Sequence, residues 1–183
     1  MSNTVERAER ELRAFARLQV RAGLLPDSEQ LAEVREAVAA ELPHSDPEIL
    51  ARAWLAAARK ELLTEQATWP ATTDVDRLRA AFMECQQHGV KVLAGVEDHW
   101  AARRALEEDA GQLRGVIWFV PMDVWHAVDT PMLEVNLWHP SGANAAAGDP
   151  LTTSVLTCLE RHGLKARFDE GRIEVAALWQ RRL

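Results

Sequence analysis

The chain has 183 residues, 48% hydrophobic and 27% charged, enough to bury a core in one domain or in one domain with a helical extension. Twenty-one basic residues stand against 28 acidic ones, a net charge of −7, which argues against a general nucleic-acid binder. No apolar run approaches the roughly 18 residues that span a bilayer, the first seven residues hold no apolar signal region, and Cys85 and Cys158 cannot make a disulfide scaffold, so a cytoplasmic protein with no membrane contact is expected.

Residues 3–22 predict one amphipathic helix, with Val5, Ala8, Leu12, Phe15, Gln19 and Ala22 at alternating spacings of three and four. The stripe is too short for an autonomous coiled coil, so docking on its own domain is the simpler reading, and a homodimer arm the other. Residues 28–41 predict a second helix facing inward through Leu31, Val34 and Val38. A third starts behind Asp46, a good N-cap before Pro47 and Glu48, and runs to about Gln66 with Leu50, Trp54, Ala57 and Leu62 inward. The stretch 27–48 holds seven acids against Arg35 alone, a net charge of −6. Such a run reads as a solvated face, or as a docking surface for a basic protein partner.

Composition shifts near Trp69-Pro70, with Gly23 before it and the other eight glycines after it. That shift divides a helical region, 1–68, from an α+β domain, 69–183, packed as one unit. Thr73 caps a fourth helix that presents Val75, Leu78, Phe82 and Cys85 inward and stops at His88-Gly89. A strand follows at 90–94, a helix within 97–109, a buried strand at 115–120 stopped by Pro121, and a short helix at 122–128. A strand at 133–138 leads into a loop of small residues from Pro140 to Pro150. A helix over 151–162 again stops at His-Gly, and strands at 164–168 and 172–179 close a hairpin around Glu170-Gly171. The expected fold class is α+β: a small mixed β-sheet with packed helices, preceded by a three-helix N-terminal region.

The segment Glu65-Gln-Ala-Thr-Trp69-Pro70-Ala-Thr-Thr73-Asp74-Val-Asp76-Arg77-Leu78-Arg-Ala-Ala81-Phe82 resembles the W-P-x-x-T-D-x-D-R-L-x-x-A-F signature of a bacterial family of unknown function. The resemblance continues at Gly89-Val90, at 115–120 and in Leu156, His162-Gly163-Leu164, Arg172-Ile173, Leu178-Trp179 and Arg181-Arg182, so it covers about the last two-thirds of the chain. Members carry a cysteine cluster just after the strand that begins at Val90. Here Leu93-Ala-Gly-Val-Glu-Asp-His-Trp100 stands there, so the thiol or metal chemistry of that cluster does not carry over. The resemblance implies a fold boundary and no mechanism.

Three constellations could carry chemistry. Cys85-x2-His88 and Cys158-x3-His162 each share a helical face, and together would form a Cys2His2 zinc site if the two helix ends met. Cys85 also falls on an apolar stripe, so two buried inert thiols are the expectation, with no metal and no cofactor. Asp123, His126 and Asp129 recur every three residues, and Glu97, Asp98 and His99 start another segment. They could build a carboxylate–histidine cleft, although Asp98 and Asp123 also suit helix caps. Ser141, with His139 or His126 and Asp149, lacks the elbow of a serine hydrolase.

Seven tryptophans and no tyrosine mark the composition. On the strand 133–138, Leu133, Val135 and Leu137 share one face and Glu134, Asn136 and Trp138 the other. With the first set in the core, the second makes a polar–aromatic surface beside a long loop. The expectation is therefore a non-enzymatic binding or regulatory protein with no catalytic residue, binding through Glu134, Asn136, Trp138, His139, His126, Asp123 and His99. The alternative is a small-molecule- or metal-dependent enzyme whose cleft gathers Glu97, His99, Asp123, His126, Glu134 and His139.

Overall fold

The structure, a computed structural model, describes residues 2–109 and 111–183. Among them seven helices and five strands follow one another in the order read from the sequence. The chain divides into two units, one of residues 1–70 with 181–183 and one of residues 71–180. No helix among the described residues is long and apolar enough to cross a membrane.

The first unit is three helices, α1 (Ser2–Ala22), α2 (Asp27–Glu41) and α3 (Pro47–Gln66). Leu12, Ala16 and Val20 of α1 pack with Val34 and Val38 of α2 and Ala51, Trp54, Leu55, Ala58 and Leu62 of α3. Each large side chain buried there stabilises by about 1.5–3 kcal/mol before entropy is counted. The inward face of α3 is rotated slightly from the expected one: Ala58 is buried and Ala57 exposed. Asp46 caps α3 by accepting from the backbone N–H of Glu48 and Ile49, at 3.0 and 3.1 Å. Buried Arg21 pairs with Glu65.

Residues 181–183 belong to this unit. Arg182 lies over the Trp69 ring and donates to the carbonyls of Gln66 and Pro70, so its cation satisfies the C-terminal end of α3. The Arg181 side chain fills the space beside Gly23, where an added Cβ would stand 1.9 Å from its Nε. Gly23 has φ +56°, so both space and backbone call for glycine.

In the second unit, α4 (Asp74–Gln87) opens with a capping box between Thr73 and Asp76. Then come β1 (Val90–Ala94), α5 (His99–Glu108), β2 (Gly115–Phe119), α6 (Pro121–Asp129), β3 (Leu133–Trp138), α7 (Pro150–Arg161), β4 (Lys165–Asp169) and β5 (Arg172–Ala176). The strand order is β1-β2-β3-β5-β4, with β1 and β2 parallel and the other pairs antiparallel. Strand β2 ends one residue early because Val120 is the N-cap of α6 and Pro121 its first residue. Strand β5 ends at Ala176 rather than 179. Past it, Leu178 N–H donates to Asp74 and Trp179 N–H to the Ala127 carbonyl, so both leave the ladder.

Cross-strand register sorts the two faces. Ile117 lies opposite Leu137, and Val135 opposite Ile173, on a wholly buried face. Phe82 of α4 meets Phe119, and Leu151 of α7 closes on Gly115, on that side. The other face carries Val116, Trp118 and Trp138, covered by Ala102 and Leu106 of α5. Farther along, over β3, β5 and β4, it carries Glu134, Arg172, Glu174 and Arg167 instead.

Candidate functional site

Alternation along β3 puts Glu134, Asn136 and Trp138 on one side, but the three meet different surroundings. Trp138 is only 7% exposed and stacks edge-on against Trp118, with ring centroids 4.8 Å apart, in the cluster under α5. The polar–aromatic surface expected of this face therefore loses its aromatic member: the β1–β2 end of the face is roofed, and Trp138 is core. Asn136 donates from Nδ2 to the Trp118 carbonyl at 3.4 Å.

Glu134 lies beyond the roof, directly opposite Glu174 in the register. Like charges at opposed positions repel. Each is met by a guanidinium: Arg172 donates to Glu134 at 2.9 Å, and Arg167 lies 2.6 Å from Glu174. Glu134, Asp169, Glu170, Arg172 and Glu174 line a trough of about 270 Å³. The β4–β5 hairpin makes its rim, turning at Glu170 and Gly171, both at positive φ. Four carboxylates and one guanidinium thus line it, with Arg167 meeting Glu174 from outside the lining.

Asp123 accepts from Val120 N–H at 2.9 Å, which fixes it to the first turn of α6. Burial holds its carboxyl above the usual range, opposed by that N–H and reinforced by nearby Glu134. Arg172 and His126 share this electrostatic neighbourhood. His139 instead sits past the opposite end of β3, with Nε2 2.8 Å from Asp149 Oδ2. Asp149 also accepts from Ala146 N–H at 2.7 Å, and together these hold its carboxyl below the usual range. Backbone bonds from His139 to Ala143 and from Ala145 to Leu137 tie the loop of small residues to β3. His99 stacks on Trp100 at the start of α5, where Asp98 is the N-cap, accepting from Ala101 N–H. Of the residues proposed from the sequence, Glu134 lines the trough, Asp123 and His126 lie on α6 within electrostatic reach of each other but outside that lining, and His139 is held by Asp149.

A second cluster lies where α4 and α7 end side by side. Helix α4 stops at C-cap His88 and α7 at C-cap His162, each before a glycine at positive φ. Glu84 receives Arg161 Nη1 at 2.6 Å and His162 Nε2 at 2.9 Å, and these two partners hold its carboxyl below the usual range. Both cysteines are buried. Burial, reinforced by the Cys158 thiol beside it, pushes Cys85 up to about 12. Of the residues in the trough and this cluster, sequence reasoning misses Glu84, Asp169 and Glu174, and meets Arg172 only in the family resemblance and Glu170 only as a hairpin turn. The available signal for Glu84 was its i,i+4 spacing to His88.

The chain belongs to a family described as Domain of unknown function (DUF6891), whose profile matches residues 5–183 and so takes in the N-terminal helices that the motif resemblance left out. Comparison with curated proteins and with solved structures finds no match.

Proposed function

We propose that this member of a family of unknown function works by binding a basic partner protein rather than by catalysis, and that the acidic trough on the open sheet face receives a lysine or arginine side chain of that partner. The observation that carries the reading is the lining of the trough, four carboxylates to one guanidinium. Glu134 and Glu174 already have cations, whereas no ion pair is formed by Asp169 or Glu170 among the described residues. A volume of about 270 Å³ suits one side chain better than a drug-sized ligand, which takes roughly 300–1,000 Å³. The net charge of −7 would speed encounter with a basic surface. Exposed Glu29, Glu33 and Glu36 along α2 add to that field.

The enzyme alternative has less support, because Asp98 and Asp123 serve as helix caps and His139 is held by Asp149. A homodimer through α1 has less support too, because Leu12, Ala16 and Val20 are spent on the unit's own core. Fluorescence anisotropy with a labelled lysine-rich peptide tests the proposal. Binding should weaken as salt rises, and the double substitution Asp169→Lys with Glu170→Lys should cost at least tenfold in affinity without moving the thermal midpoint. Equal binding by that variant, or equal binding of an acidic peptide, would sink it.

A further inference from the structure

We infer that the joined ends of α4 and α7 form a binding site for a borderline-soft divalent cation such as Zn²⁺, with Glu84, His88 and Cys158 as its protein ligands. One ligand atom from each of the three lies within 4.8 Å of the others. Bonds of roughly 2.0–2.3 Å in a tetrahedral arrangement place ligand atoms about 3.3–3.8 Å apart. His88 Nε2 and Glu84 Oε1 already stand 3.8 Å apart, so about an ångström of side-chain movement closes the set.

The mixed sulfur, nitrogen and oxygen donors suit Zn²⁺ or Co²⁺ and not Mg²⁺ or Ca²⁺, which take oxygen. The two helix ends favour a cation as well. Both helices point their negative C-terminal ends here. The His88 side chain is 50% exposed, which gives the ion a way in and leaves the fourth position to water.

The ligand set differs from the Cys2His2 pattern legible in the sequence. Cys85, only 1% exposed, stands behind Cys158. His162 holds the far oxygen of Glu84 at 2.9 Å and so acts as a positioning residue. Arg161 occupies the near oxygen and competes with the metal. On binding, the Cys158 thiol gives its proton to solvent and Arg161 leaves Glu84. One thiolate and one carboxylate then balance the two charges of the ion.

The test adds Co²⁺ alone to the full chain, kept reduced with a non-thiol reductant, and follows the absorption spectrum. One equivalent should give a thiolate-to-cobalt charge-transfer band with tetrahedral d–d bands, and Zn²⁺ should remove both. Cys158→Ser should abolish the charge-transfer band, and Cys85→Ser should keep it. His88→Ala, at an exposed site, should weaken binding at least tenfold with the metal-free thermal midpoint unchanged. His162→Ala should keep the band and lose about 10- to 100-fold in affinity. Arg161→Gln should bind several-fold tighter. No charge-transfer band, or one that survives Cys158→Ser, overturns the inference. If Cys158→Ser does not fold, unchanged affinity in His88→Ala overturns it alone.

Discussion

Replacing Trp138 with alanine separates a core residue from a surface contact. The indole is 7% exposed, meets Trp118 edge-on at 4.8 Å, and lies under Ala102 and Leu106. Deleting such a side chain costs about 3–5 kcal/mol, which includes about 0.5–1.5 kcal/mol from the aromatic pair. A domain holds about 5–15 kcal/mol in all, so the loss is a large share. For a unit the size of residues 71–180, the thermal midpoint should fall by on the order of 15 °C. Urea unfolding followed by far-ultraviolet circular dichroism reads the change in midpoint, and an unchanged slope assigns it to stability. Trp138→Phe should recover much of the loss. A cycle with Trp118→Ala should return a coupling of about 0.5–1.5 kcal/mol. A loss below about 1 kcal/mol would refute the burial argument and return Trp138 to the exposed face.

Two further outcomes are expected. At Gly115 an added Cβ would lie 2.6 Å from a Leu151 methyl and 2.8 Å from the Trp138 carbonyl oxygen, so Gly115→Ala should cost about 1–3 kcal/mol. Adding Leu151→Ala removes the first clash but not the backbone one, and full recovery of the urea midpoint in the double variant would contradict this. Asp149 is held below the usual carboxylate range first by Ala146 N–H and then by His139. A carboxyl depressed in the folded state stabilises above its unfolded value of about 3.9 and loses that contribution as pH falls through the folded value. The Ala146 amide shift in nuclear magnetic resonance should therefore titrate with a midpoint below that of a free aspartate, and the step should vanish in Asp149→Asn. A midpoint at or above the free value would show that the bond does not hold in solution.

The local signals in the sequence carried most of the elements. Asp46, Thr73 and the two His-Gly stops fix helix ends through chemistry confined to four or five residues, and the alternation of Leu133, Val135 and Leu137 fixes which side of β3 is core. What lay beyond reach was coverage. Period two assigns Trp138 to a side, but whether α5 roofs that side depends on how far the helix reaches along the sheet. The trough was hidden for a related reason: it needs β5 beside β3 with β4 outside it, a strand order that no local pattern states. Glu84 was legible as a neighbour of Cys85 and His88, yet its meeting with Cys158 and His162 comes only from the packing of α4 on α7.

The placement of Arg181 and Arg182 in the first unit has a consequence for synthesis. They follow Pro70 by about 110 residues. At about 5–20 residues per second, translation reaches them roughly 5–20 s later. Until then the three helices can gather around Trp54, but the slot at Gly23 stays empty and the last carbonyls of α3 lack their cation. Every residue of the second unit is made in that interval. The unit begun first is thus completed last, and a ribosome paused before residue 181 would present proteases with a helical bundle that still lacks its two arginines.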